Sequence, residues 1–146
     1  MESMQPNVFD EVFFKEKDPI YFPEGLPAFE TVKDFVIIAH EEEAPFLWLQ
    51  AQSIPSLAFV TIDPFLIYQD YRPDICDEDV NILNINNEDD AFLLSIVNIH
   101  HNPQHGITTN LVSPIVINWK QRLGKQVILQ NHLLYTVKHR IDQAEP

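Results

Sequence analysis

Three histidines within six residues are the side chains in this sequence best suited to hold a metal ion. His100, His101 and His105 could supply the imidazole nitrogens that zinc prefers. The apolar run before them predicts a strand, and its continuation would point His100 and His101 to opposite faces of a sheet. At most one of them could then join His105, and no acidic residue lies nearby in the sequence to complete a ligand set. We therefore expect a solvated loop and no cofactor.

Other catalytic motifs are weak. The single cysteine, Cys76, precedes Asp77, whose negative charge opposes formation of the thiolate that nucleophilic attack requires. The three glycines lie far apart, whereas a phosphate-binding loop needs two or three of them close together. The alternative function is a small metal-dependent β-barrel enzyme that uses His100, His105 and a carboxylate such as Asp63. The sequence favours a protein that is not an enzyme.

The charge of the chain is acidic and unevenly divided. Its formal net charge is −13. Residues 1–90 carry 20 acidic and four basic side chains, a net −16, whereas residues 91–141 carry five basic side chains and no acidic one. The densest acidic runs, at 41–43, 77–79 and 88–90, do not match the loop of an EF-hand calcium site. A field of this sign attracts basic macromolecules and repels nucleic acid, although the same acids could serve solubility alone.

The elements that must carry these residues are short and β-rich. The length of 146 residues predicts one domain, with an ordered core at about residues 7–141. Apolar runs separated by Pro, Asn or Gly are typical of a sandwich or barrel. They lie at residues 8–14, 20–22, 35–39, 46–50, 57–62, 92–99, 111–118 and 126–130. We predict an all-β fold, a compact antiparallel β-barrel-like single domain with one or two short helices.

Several local features refine this prediction. One short helix is expected at residues 76–84 with Asp77 as its cap, and a second turn at residues 30–34. Residues 130–135 could be either helix or strand. Pro114 cannot donate to a ladder, so the strand that contains it should begin there or have an edge there. Residues 122–125 should form a hairpin turn in which Gly124 supplies a positive φ.

The location of the protein is predicted from what the sequence lacks. One cysteine cannot form an intramolecular disulfide, which favours a reducing compartment. The first residues contain neither a basic segment nor an apolar segment of the kind found in signal peptides, and no apolar run is long enough to span a membrane. We expect a cytoplasmic protein without a membrane partner.

Aromatic side chains have two competing interpretations. Trp48 and Phe59 lie in apolar β-patterned runs and are predicted to belong to the core. Asp63, Pro64 and Phe65 should form a surface turn, because Pro64 ends the preceding strand. Phe65 and Tyr71 could then anchor an amphipathic segment of a partner, or Phe65 could cap the core instead.

Six segments occur in a characteristic order along the chain: 21–30 (YFPEGLPAFE), 45–50 (PFLWLQ), 57–65 (LAFVTIDPF), 94–97 (LSIV), 109–118 (TNLVSPIVIN) and 124–129 (GKQVIL). In this order and spacing they resemble the FliW family of flagellar assembly factors. Departures from the family pattern are Ala28, where glycine is usual, Ala51, where serine is common, and the loop at His100 and His101. These departures leave the fold intact and bear on partner preference.

The resemblance implies a non-enzymatic protein with two protein partners. Members of the family bind flagellin near its terminal helical region. They also bind the RNA-binding translational regulator CsrA and relieve its repression of flagellin mRNA, so no direct contact with nucleic acid is implied. Combined with the charge, this predicts that the acidic half faces CsrA. The partner-binding residues that we predict are Glu41, Glu42, Glu43, Asp77, Glu78 and Asp79, together with Phe65 and Tyr71.

Overall fold

The computed structural model describes residues 19–102, 104 and 106–141. Within those residues the chain forms nine strands and two short α-helices. The strands are β1 (Ile20–Tyr21), β2 (Asp34–Ala39), β3 (Leu47–Ala51), β4 (Ala58–Ile62), β5 (Ala91–Ile99), β6 (Ile107–Thr109), β7 (Ile115–Asn118), β8 (Leu123–Gln126) and β9 (His139–Arg140). The helices are α1 (Pro64–Ile67) and α2 (Asp77–Ile82), and 3-10 turns lie at Glu41–Glu43, Glu88–Asp90 and His132–Leu134. The predicted all-β fold with short helices is confirmed.

The sheet closes into a barrel because β4, the first strand in the order, also pairs with β5. The order is β4-β3-β2-β1-β8-β7-β5-β6-β9, and β4 also pairs with β5. The first residues of β5 pair with β7 and its last three with β6, while Ser95 and Ile96 pair with β4. Seven strands therefore form a closed ring, and β6 and β9 extend it on one side. All pairs are antiparallel except β1 and β8, which are parallel at Tyr21 and Leu123.

The barrel interior is filled by side chains that alternate along the strands. In β3, Leu47 and Leu49 are buried, whereas Trp48 between them faces outward and is half-buried. This is the period of two that a strand imposes. The buried members of this barrel core are Ile20, Phe22, Leu26, Phe35, Ile37, Leu47, Leu49, Ala51, Phe92, Leu94, Ile115 and Ile117.

A second apolar cluster lies on the outside of β7 and β8. It consists of Tyr71, Leu83, Leu111, Val116, Val127 and Leu129. Because Val116 points outward while Ile115 and Ile117 point inward, β7 is buried on both faces. The buried amide of Asn118 donates to the carbonyl oxygen of Leu83 at 2.8 Å and so fastens the end of α2 to β7.

The hairpin between β7 and β8 differs from its prediction. The strand β7 does begin directly after Pro114, but β8 occupies residues 123–126 and not 126–130. Its preceding turn takes its positive φ from Arg122, at 58°, and not from Gly124. Gly124 lies in the strand, where a Cβ atom would come within 2.6 Å of Cζ of Phe22. The glycine is therefore required by packing and not by turn geometry.

The helical predictions are partly corrected. The helix predicted at 76–84 is α2, but Cys76 and not Asp77 occupies the N-cap position, and it makes no side-chain capping hydrogen bond. The turn predicted at residues 30–34 is present at Glu30 and Thr31 but is not helical, and residues 130–135 contain a 3-10 turn. The predicted strand at 8–14 lies outside the described residues. None of the helices among the described residues is long and apolar enough to cross a membrane.

Candidate functional site

An apolar groove of about 330 Å³ lies on the outer face of four adjacent strands. We call it the outer groove. Its lining residues are Glu42, Glu43, Ala44, Phe46, Trp48, Val60, Val97, Ile99 and Ile107. They come from β3, β4, β5, β6 and the chain that leads into β3. The groove is therefore assembled from segments that are up to 65 positions apart in sequence.

Strand register brings the groove side chains together. Trp48 pairs with Val60 across β3 and β4, and Ile99 pairs with Ile107 across β5 and β6. Cross-strand partners lie on the same face of a sheet, so each pair presents adjoining apolar surface. Ile99 is 69 % exposed, which is unusual for a large aliphatic side chain in a strand.

The acidic turn Glu41–Glu43 forms one rim of the outer groove. All three glutamates are exposed. The indole Nε1 of Trp48 donates to Oε1 of Glu43 at 2.8 Å, so the acidic rim and the apolar wall are physically joined. The exposure of these glutamates is compatible with binding a partner, and that role stays a prediction.

The second acidic run is divided by the structure. Asp77 and Glu78 are exposed in the first turn of α2, whereas Asp79 is buried. Oδ1 of Asp79 forms an ion pair with Nζ of Lys125 at 2.8 Å. Its Oδ2 accepts a hydrogen bond from Sγ of Cys76 at 3.3 Å. Asp79, which was predicted to bind a partner, is not a surface charge, because its carboxylate is directed toward β8 to hold this cation.

The electrostatics of Lys125 follow from that pair. Burial works to lower the pKa of the ammonium, but the hydrogen bond and charge of Asp79, helped by Glu24 at 3.5 Å, raise the pKa above its ordinary value. Asp79 thus stabilises a partly buried cation, and only Asp77 and Glu78 remain as surface charges of this run. Since α2 is fastened to β7 and β8, the two acidic runs lie against different strands and do not form one cluster.

Tyr71 and Phe65 belong to the second apolar cluster. Tyr71 is 1 % exposed, and its hydroxyl donates to the carbonyl oxygen of Leu111 at 2.7 Å. Burial, with a smaller contribution from Tyr135, raises the pKa of the Tyr71 hydroxyl well above its usual range. The ring of Phe65 packs edge-on against Tyr71 at 5.6 Å. The geometry therefore favours the packing interpretation of both aromatics, since Tyr71 has no surface to offer a partner in this conformation.

The turn at Asp63 and Pro64 is a helix start. Both residues are buried, and the Asp63 carboxylate accepts from the backbone N–H of Phe65 at 2.9 Å as the N-cap of α1. The expected surface turn is therefore wrong at these two residues. A capping carboxylate satisfies a backbone donor that the helix leaves unpaired, which gives Asp63 a structural role without a metal.

The histidine loop is only partly described. Nε2 of His100 lies 2.9 Å from Oγ1 of Thr108, His101 is exposed, and His105 lies outside the described residues. In the part of the chain that the structure describes, no three His, Cys, Asp or Glu side chains are grouped so as to hold a metal ion. The metal-dependent alternative therefore has no described ligand set.

Sequence reasoning missed the outer groove because it assigned Trp48 to the core. Trp48 is a half-buried wall of the groove, so that prediction is wrong. Phe59 does pack against the barrel core, with its ring 5.8 Å from Phe29 and 6.2 Å from Phe35. The alternation of residues 47–51 already contained the signal, because Trp48 and Leu49 cannot share a face of one strand.

Comparison with known proteins gives one consistent result. A sequence model of the FliW protein family matches residues 3–141. The chain is 40 % identical over 134 residues to a flagellar assembly factor FliW of Caldanaerobacter subterraneus subsp. tengcongensis, covering 91 % of this chain and 88 % of the relative. A FliW of Clostridium tetani is 38 % identical over 132 residues, 90 % of either chain. A crystal structure of the flagellar assembly factor FliW aligns with a TM-score of 0.80 at 40 % identity, covering 91 % of this chain and 92 % of that one.

Proposed function

Because the chain belongs to the FliW family of flagellar assembly factors, we propose that it binds both flagellin and the translational regulator CsrA. Binding would antagonise CsrA, so that flagellin mRNA is translated. The protein acts in the cytoplasm by exchange of partners and not as an enzyme. Scarce flagellin leaves it free to hold CsrA, and accumulated flagellin occupies it and releases CsrA to repress.

The observation that carries this proposal is the exposure of two separate acidic runs. Glu41–Glu43 in one 3-10 turn, and Asp77 and Glu78 in α2, present five carboxylates to solvent. They belong to a half of the chain with a net charge of −16. A protein that binds RNA presents basic side chains to phosphate, and an acidic protein attracts such a surface at long range.

The same charge supplies a mechanism for antagonism. An acidic protein docked beside an RNA-binding surface repels the phosphates of the RNA by like charge. Release of RNA therefore does not require that the protein occupy the base-reading site. Attraction and repulsion both weaken as salt screens the charges, over a Debye length of about 8 Å at physiological ionic strength.

A binding measurement with separately purified flagellin and CsrA of the same bacterium tests the proposal. We expect each to form a complex with the chain, and flagellin to lower the amount of CsrA retained. Binding to flagellin alone would support a chaperone-like binder without a regulatory role instead. Stoichiometric zinc, iron or manganese in protein purified without a histidine tag would revive the metal-dependent enzyme that uses His100 and His105.

A further inference from the structure

We propose that the outer groove is the docking site for an amphipathic helix of a partner protein that carries Lys or Arg beside its apolar face. This inference rests on the proposed function in one respect, that the partner is a protein. It deepens that function by assigning the affinity to an apolar surface and the steering to its rim. In this proposal the partner is anchored by Trp48, Val60 and Ile99, and not by Phe65 and Tyr71 as the sequence suggested.

The first argument is the exposed apolar surface. The groove presents Phe46, Trp48 and Val60 on one side and Ile99 and Ile107 on the other. The groove is a concavity of about 330 Å³, and a side chain of a partner can insert into it. Ile99 is exposed and the other four are half-buried, so together they form one partly exposed apolar patch. Such a patch marks an interaction site more often than a single exposed side chain does.

The second argument is the width of the surface. Strands β3, β4, β5 and β6 are consecutive neighbours. At a spacing of about 4.8 Å, their axes span about 14 Å. A helix with its side chains is about 10–12 Å across, so one helix can lie on this face with its apolar stripe in the groove.

The third argument is charge complementarity. Glu42 and Glu43 line the groove, Glu41 adjoins them, and none of the described residues that line the groove is basic. The bond between Trp48 and Glu43 uses Oε1 of the carboxylate, so its negative charge stays at the rim. Lys or Arg beside the apolar stripe would pair with this rim. A nucleic acid strand is disfavoured here, because the same carboxylates repel phosphate.

The chain offers a matched control surface. Ile128 is 67 % exposed, close to the 69 % of Ile99, but it does not line the groove. Replacing either isoleucine by lysine changes the net charge and the exposed apolar area by the same amount. Neither replacement disturbs a buried side chain, so both variants should fold.

The experiment is a fluorescence titration with a defined peptide. The probe is a synthetic helix of about five turns with leucines at i, i+3, i+4 and i+7 and lysines along both borders of the stripe. A second peptide has glutamates in place of the lysines. The protein carries Trp119→Phe, so that Trp48 is its only tryptophan and reports on the groove.

We expect saturable binding of the lysine peptide, at least tenfold weaker in Ile99→Lys and unchanged in Ile128→Lys. The glutamate peptide should bind the parent protein at least tenfold more weakly than the lysine peptide. No binding to the parent, equal binding to the two isoleucine variants, or no preference for lysine would each overturn the proposal. Failure of the parent to bind flagellin and CsrA would instead overturn the proposed function, because the peptide titration requires neither protein.

Discussion

Trp48 donates a hydrogen bond of 2.8 Å from its indole nitrogen to Oε1 of Glu43, across the boundary between the apolar groove and its acidic rim. The bond fixes one wall of the groove and one charge of the rim relative to each other. An aromatic side chain with one apolar face and one satisfied polar edge is the kind of residue that dominates binding at protein interfaces. Charge and apolar surface are therefore parts of one site.

The first prediction concerns association with CsrA. The variant Glu41/Glu42/Glu43→Lys and the variant Asp77/Glu78→Lys should each associate more slowly and with a flatter salt dependence, because steering depends on exposed charge. A single substitution should be nearly silent, since an exposed ion pair contributes about 0.2–1 kcal/mol. Stopped-flow association rates between low and physiological salt provide the measurement.

The control for that prediction is the exposed pair Glu88 and Asp89. Glu88/Asp89→Lys changes the net charge as much as Asp77/Glu78→Lys does, so a site-specific effect must exceed the effect of this variant. If both test variants associate as fast as the parent protein and still displace RNA, the acids serve solubility alone.

The second prediction concerns Tyr71. Tyr71→Phe should lower the free energy of unfolding by about 1–3 kcal/mol, because the buried carbonyl of Leu111 loses its donor. Urea denaturation measures the loss. Because Tyr71 is buried, the affinity of the folded variant for flagellin and CsrA should be unchanged. A weakened affinity with unchanged stability would return Tyr71 to the binding surface.

The third prediction concerns Phe59, whose ring packs against Phe29 and Phe35. Phe59→Ala should lower the free energy of unfolding by about 3 kcal/mol, the low end for truncation of an aromatic, because the side chain is only partly buried. Phe29→Ala is the comparison, and it should cost less because Phe29 is 37 % exposed. An unchanged melting temperature for Phe59→Ala would show that Phe59 is free for binding.

The fourth prediction concerns the contact between Gly124 and Phe22. Gly124→Ala should destabilise the protein by about 1–3 kcal/mol, because the new methyl group would overlap a ring in the barrel core. The double variant Gly124→Ala/Phe22→Leu should cost less than the sum of the two single changes, since the smaller side chain relieves the overlap. Additive losses, measured by urea denaturation, would mean that the ring is not what excludes a side chain at this position.

The fifth prediction concerns pH. The hydrogen bond from Lys120 to Asp90, at 2.8 Å, and the backbone N–H groups of Asn86 and Asn87 lower the pKa of the Asp90 carboxyl. A carboxyl whose pKa is lowered in the folded state stabilises the protein at pH values above its ordinary pKa of about 3.9. This stabilisation is lost as the pH falls through the pKa of the folded state. Asp90→Asn should therefore be less stable than the parent protein at pH 7, and the gap should close in acid. Denaturation at several pH values measures this difference in stability. The control is Asp89→Asn, at an exposed neighbour, which should show no stability difference that closes in acid.

Much of the fold could be read from local pattern. The predicted strands at 35–39, 46–50, 57–62 and 92–99 each agree with an observed strand to within one residue at either end. They are apolar runs bounded by turn residues, and burial of one face of such a run requires little knowledge of its neighbours. The start of β7 after Pro114 could also be predicted from local sequence, because the missing N–H acts at that residue alone.

The predictions that failed depend on contacts between distant residues. Asp79 looked like its exposed neighbours Asp77 and Glu78 until β8 placed Lys125 beside it. Gly124 looked like a turn residue, although the reason for it is the ring of Phe22 in a different part of the chain. Nothing near either residue in the sequence carries that information.

The sequence by itself determined the fold class, the family and the uneven charge, because composition, short-range periodicity and the order of motifs are properties of the chain alone. Only the tertiary structure decided which acids face solvent and that Trp48, Val60, Ile99 and Ile107 form one groove. Barrel closure through the pairing of β4 with β5 brings these side chains onto a single face. A surface of this kind depends on strand order and register, which long-range pairing sets and local sequence does not.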